Sequence, residues 1–134
     1  MKKIMTDTNK KRLAAIKSLE YIEDDFVLGV GTGSTVNFLI SELHLVRHKI
    51  RSIASSSEAS TQLLSNEGFM VEDLSSTGSP DLYIDGADEI TKNFHMIKGG
   101  GGALTREKII AHASKKFVCI VDNLKIVDVL GNFP

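Results

Sequence analysis

The sequence predicts an α/β domain, a largely parallel open sheet flanked by helices, in one unit spanning residues 1–134. Three observations carry this. Short apolar runs alternate with stretches of helical periodicity along the whole chain. The glycine-rich and polar segments follow the apolar runs rather than precede them. Composition is that of a globular protein, with 42% hydrophobic and 25% charged residues, and no repeat or linker divides the chain.

The elements follow in order. Residues 7–22 read as an amphipathic helix whose apolar stripe is Leu13, Ile16, Leu19 and Ile22. Residues 26–30 form a short strand that runs into Gly31-Thr32-Gly33-Ser34-Thr35, and Val36, Leu39, Ile40, Leu43 and Val46 make a second helical stripe. Residues 51–55 read as a strand, and residues 58–66 as a helix that Gly68 terminates. Residues 69–74 read as a third strand and residues 75–80, rich in Ser, Gly and Pro, as a loop. Residues 82–84 form a fourth strand that closes on Asp85-Gly86-Ala87-Asp88. Residues 94–97 suggest a further short strand, residues 103–114 a helix, and residues 117–121 a last strand ending at Asp122. In open α/β sheets ligands bind beyond the carboxyl ends of the strands, so the polar segments gather on one edge.

Charge and cysteine content exclude several classes of function. Sixteen basic and 17 acidic residues leave a net charge of -1, without the basic stripe of a nucleic-acid binder. Lys10-Lys11-Arg12 is short and reads as a solvated helix face. No uncharged apolar stretch is long enough to span a bilayer, and the N-terminal lysines are not followed by the apolar core of a secretory signal. The single cysteine, Cys119, cannot form an intramolecular disulfide and reads as a small hydrophobe in an apolar run. A soluble cytoplasmic protein is expected, with no membrane or nucleic-acid partner.

Three segments can carry chemistry. Gly29-Val30-Gly31-Thr32-Gly33-Ser34-Thr35 fails the dinucleotide pattern in both frames and lacks the Gly-Lys-Ser/Thr of a P-loop. It remains a small-residue turn whose amides and hydroxyls (Thr32, Ser34, Thr35) can cradle a phosphate, or simply a tight strand-to-helix turn. Asp85-Gly86-Ala87-Asp88-Glu89 sets three carboxylates in a short span, suited to sharing sugar hydroxyls and moving protons, or to an acidic helix start. Lys98-Gly99-Gly100-Gly101-Gly102 places a cation beside a backbone that a ligand can approach closely. In the next helix Glu107 lies in the first turns, where the helix dipole favours an ionised carboxylate. No His or Cys arrangement reads as a metal site.

Together with Ser55-Ser56-Ser57-Glu58-Ala59-Ser60-Thr61, these segments resemble, in order and at close to the same spacing, the signature segments of A-type ribose-5-phosphate isomerases. The resemblance runs over essentially the whole chain. It implies a Rossmann-like catalytic domain, without the second, smaller α/β lobe that family members carry. It implies interconversion of D-ribose 5-phosphate and D-ribulose 5-phosphate through an enediolate, in the pentose phosphate pathway, with no metal or organic cofactor. It implies Glu107 as the proton-abstracting base. Asp85 and Asp88, with Gly86 and Ala87 between them, match the segment at the sugar hydroxyls. Lys98, Gly99, Gly100 and Gly101 match a second substrate loop, with Lys98 also a catalytic candidate. Thr32, Gly33, Ser34 and Thr35 match the first loop, and Lys125 matches a further substrate contact. Homo-oligomeric assembly is implied for the family. A non-catalytic sugar-phosphate-binding module and an inactive truncated isomerase stay open as alternatives.

Overall fold

A computed structural model of the chain describes residues 7–93, 96–97 and 104–121. Six strands and five α-helices follow along these residues: α1 (Asp7–Ser18), β1 (Phe26–Val30), α2 (Ser34–Glu42), β2 (Ile50–Ser55), α3 (Glu58–Asn66), α4 (Leu74–Thr77), β3 (Leu82–Asp85), β4 (Glu89–Ile90), β5 (Met96–Ile97), α5 (Leu104–Ala113) and β6 (Phe117–Cys119). Four strands form a wholly parallel sheet in the order β2-β1-β3-β6. This is the α/β architecture expected. From β1 the chain steps outward to β2, then crosses back to β3 on the other side. The switch point of the sheet therefore falls between β1 and β3, where a crevice opens beyond the carboxyl ends.

Alternation along the strands divides the sheet into two unlike faces. Leu28 and Val30 of β1, Ile53 of β2, and Leu82 and Ile84 of β3 are buried in one core with Ala15, Leu19 and Ile22 and with Val36, Leu39, Ile40 and Leu43. Each buried Val, Leu or Ile among them contributes about 1.5–3 kcal/mol by leaving water. The other face carries Gly29 opposite Tyr83, and Tyr83 opposite Phe117, whose ring meets the phenol edge-on at 5.3 Å. A Cβ at Gly29 would lie 2.9 Å from Ile110 and 3.0 Å from Tyr83, so α5 and the phenol close over β1 only because that position is bare.

Four local expectations change. The apolar stripe of the first helix is rotated: Ala15, Ser18, Leu19 and Ile22 are buried, whereas Leu13 is 52% and Ile16 38% exposed. The helix is turned by its polar residues, since Arg12 bonds Glu42 at 3.1 Å and lies 5.2 Å from the Phe38 ring, which brings small Ala15 against α2. Residues 69–74 are not a strand. Only Val71 bridges Ile53, and the chain then turns into α4, so residues 75–80 hold a helical turn that Gly78 ends. Asp88 and Glu89 do not begin a helix, because β4 pairs antiparallel with β5 in a separate hairpin. Cys119 is half-buried rather than sealed in the core. The helix over 58–66 holds as read, with Ser57 capping its start and Gly68, at φ 84°, accepting the left-handed turn at its end.

Candidate active site

The carboxyl ends of β1, β2 and β3 meet in a connected set of polar groups. Asp85, the last residue of β3, is fully buried. Its Oδ1 accepts from the amides of Thr32, at 3.1 Å, and Gly86, at 2.7 Å, and its Oδ2 accepts from the Tyr83 hydroxyl. This arrangement needs Gly31: a Cβ there would stand 2.0 Å from Cγ of Asp85. Gly31 is held in place by its own amide, which donates to Ile84 at 2.8 Å, and by Ser60, whose hydroxyl donates to its carbonyl at 2.6 Å. The glycines at 29 and 31 thus make room for Tyr83 and Asp85, side chains two apart on one strand face.

Hydroxyls extend the set. Thr32 Oγ1 lies 2.6 Å from Ser56 Oγ and donates to Ser57 Oγ at 2.9 Å, joining the loops after β1 and β2. Burial pushes the phenol of Tyr83 far above its ordinary range, helped by the charge and hydrogen bond of Asp85 and by the charge of Glu107; a hydrogen bond with Ser56 acts weakly the other way. The phenol therefore stays protonated and sits in the field of both carboxylates. Glu107, in the first turn of α5, is itself buried.

At the outer end of the first loop, Gly33 caps α2 without a side chain. Lys11 reaches across from α1 and donates to Ser34 Oγ at 2.9 Å. A cation and the start of a nine-residue helix are thereby brought together with the hydroxyls of Ser34 and Thr35, an arrangement suited to an anion.

Of the site residues read from the sequence, Thr32, Asp85 and Gly86 are joined directly, and Gly33, Ser34 and Thr35 open the next helix. Ala87 and Asp88 lie half-buried between β3 and β4. Lys98, Gly99, Gly100, Gly101 and Lys125 lie outside the described residues. The sequence does not mark Tyr83 as a site residue, names Ser56 only within the segment over residues 55–61, and reads Lys11 as part of a solvated helix face. Period-2 spacing from Asp85 marks Tyr83 as its neighbour on one face, whereas Lys11 sits in a run that reads as solvent-facing. Beside the site, a cleft of about 410 Å³ lies between β2, α3 and α5, with Ala54, Glu58, Arg106 and Ile110 among its lining residues. Among the described residues no cluster of three or more His, Cys, Asp or Glu could hold a metal, and no helix is long and apolar enough to cross a membrane.

The family model for ribose 5-phosphate isomerase A (phosphoriboisomerase A) matches residues 52–134. The chain belongs to this family. Ribose-5-phosphate isomerase A of Legionella pneumophila (strain Corby) is 55% identical over 121 residues, which cover 90% of this chain and 56% of that protein. The crystal structure of ribose 5 phosphate isomerase A from Neisseria gonorrhoeae superposes with a TM-score of 0.94 at 45% identity, over 98% of this chain and 59% of that one. A D-ribose-5-phosphate isomerase solved in complex with phospho-erythronic acid superposes with a TM-score of 0.89 at 38% identity, over 94% of this chain and 57% of that one. The chain spans little more than half the length of these isomerases.

Proposed function

We propose that the chain is the catalytic domain of a cytoplasmic ribose-5-phosphate isomerase, residues 1–134 acting as one domain. It interconverts D-ribose 5-phosphate and D-ribulose 5-phosphate in the non-oxidative pentose phosphate pathway, without metal or organic cofactor. The observation that carries this reading is a pair of buried carboxylates beside the β1/β3 switch point: Asp85, bonded to the phenol of Tyr83, and Glu107, whose charge acts on that phenol.

The chemistry assigns roles as follows. Glu107 takes the proton from C2 of the open-chain aldose, and the electron pair forms the C1–C2 double bond of an enediolate with its charge on O1. The same carboxyl returns the proton to C1 while the proton on O2 passes to O1, leaving the carbonyl at C2. Lys98 is the donor read for the developing oxyanion. Asp85 and Asp88 are read as the pair that serves the sugar hydroxyls and ring opening; Asp88, half-buried, is the one open to direct contact, while Asp85 is sealed among its donors. Thr32, Gly33, Ser34 and Thr35, with Lys11 and the start of α2, grip the phosphate, whose binding energy fixes the reacting carbons. Gly86, Ala87, Gly99, Gly100, Gly101 and Lys125 complete the substrate contacts.

The test is turnover of ribose 5-phosphate by the purified chain, with Glu107→Gln beside it. The expected result is a loss of roughly 100-fold or more in kcat in the variant with KM little changed. Equal turnover in both removes Glu107 as the base. No turnover from a chain whose melting point rises with ribose 5-phosphate identifies a sugar-phosphate-binding module instead.

A further inference from the structure

We propose that Tyr83 is a positioning residue of this site: its phenol fixes the orientation of the Asp85 carboxylate and, through it, ties the loops that follow β1 and β3 into one rigid unit. The proposal rests on the isomerase reading for its kinetic consequence and on geometry for the rest.

The hydroxyl of Tyr83 donates to Oδ2 of Asp85, while the amides of Thr32 and Gly86 donate to Oδ1. Three donors from two loops and one strand thus hold a carboxylate that water does not reach. The two amides share one oxygen, so they leave the carboxylate plane free to pivot about it. The phenol, bound to the other oxygen, removes that freedom. The ring itself is held in place, since it is fully buried, packs edge-on to Phe117, and lies close over the bare Gly29, 3.0 Å from where a Cβ would stand. Its proton is secure as well, because burial and two neighbouring carboxylates oppose its loss. Besides Asp85, the charge of Glu107 of α5 acts on the phenol, and by strand register Cys119 of β6 lies opposite Asp85. Arg106 is turned instead toward Glu58 and the Ser55 carbonyl. A buried tyrosine two residues before the aspartate is thus a fixed donor rather than an acid in the reaction.

Tyr83→Phe keeps the ring and its packing and deletes the donor. The experiment compares the full chain with this variant, after a thermal melt has shown both folded, by amide NMR and by kinetics with ribose 5-phosphate. The expected result is displacement of the Thr32 and Gly86 amide signals and a loss of about 10- to 100-fold in kcat, with KM changed less than about threefold, as misplacement of a group near the chemistry produces. A role in packing alone would lower the melting point and leave the two amides and kcat as they were, which overturns the proposal. Wild-type protein without turnover removes the isomerase reading, and Tyr83 is then decided by the amides: movement supports its hold on Asp85 and none ends it. If the variant does not fold, the wild-type proton spectrum decides. A slowly exchanging, far-downfield phenol proton supports the bond to Asp85, and its absence refutes it.

Discussion

Asp81 enters β3 and Asp85 leaves it, so one strand carries a carboxylate at each end of the sheet. Both staple β3 to β1 by accepting from a β1-side amide, Val27 for Asp81 at 2.8 Å and Thr32 for Asp85 at 3.1 Å. Their other partners differ. Asp81 takes the ammonium of Lys115 at 3.2 Å, and that lysine side chain is 68% exposed. Asp85 takes a buried phenol and a second amide and has no exposed surface. The first carboxylate can exchange its partner for water at little loss; the second cannot. At the carboxyl ends of parallel strands the loops deliver amides and helix starts together, so donors concentrate there and a buried charge can be held for chemistry.

The sealed end is the easier to break. In Gly31→Ala the new Cβ would lie 2.0 Å from Cγ of Asp85, closer than any real contact, so the carboxylate must leave its place. Turnover of ribose 5-phosphate should fall by about 100-fold or more, and urea melts should show a destabilisation of about 1–3 kcal/mol from overpacking. Retained turnover would mean that the sealed position of Asp85 is not what the reaction uses.

Gly31 also shows how far the sequence could be read. The glycine motif marks the loop, but the structure adds a reason for two of its glycines that the motif does not carry. Glycine before a helix suggests a phosphate cradle, whereas Gly29 and Gly31 are bare because Tyr83 and Asp85 lie across them. That requirement comes from a strand more than fifty positions away, and no local pattern announces it. Asp85 and Asp88 stand out because they follow an apolar run, and Glu107 falls in the first turn of a helix, where acids are common, so only the family resemblance marks it as a base. The rotation of α1 was not legible, since its stripe competes with the pairing of Arg12 to Glu42, and tertiary contacts outweigh periodicity. Lys11 was lost with it: its bond to Ser34 exists only once α1 packs on α2.

At the open end, Asp81→Ala should cost about 1.5–3 kcal/mol, the usual range for a hydrogen bond to a charged group, and leave kcat unchanged wherever the variant is folded. The amide of Val27 first, and Lys115 after it, hold the Asp81 carboxyl below its ordinary range against the opposing effect of burial. Because the folded value is depressed, the contribution is complete above the unfolded value of about 3.9 and is lost as pH falls through the folded one. Urea melts of wild type and variant should therefore differ at neutral pH, and the gap should begin to close only as pH falls below about 4. A gap that persists in acid would show that shape, not charge, is what Asp81 supplies.

Two lysines sharpen the contrast at the smallest scale. Lys115→Met removes an exposed partner of Asp81 and should lower stability by less than about 1 kcal/mol, without effect on KM. Lys11→Met removes a cation held at Ser34 beside the start of α2 and should change stability as little. It should nevertheless raise KM for ribose 5-phosphate by roughly three- to tenfold, since a charge-assisted contact to phosphate is made only when substrate is present. The pair is read in one experiment, KM against melting point for both variants. If Lys11→Met leaves KM where it was, the phosphate is gripped elsewhere, and the two ends of the sheet differ in their aspartates but not in their lysines.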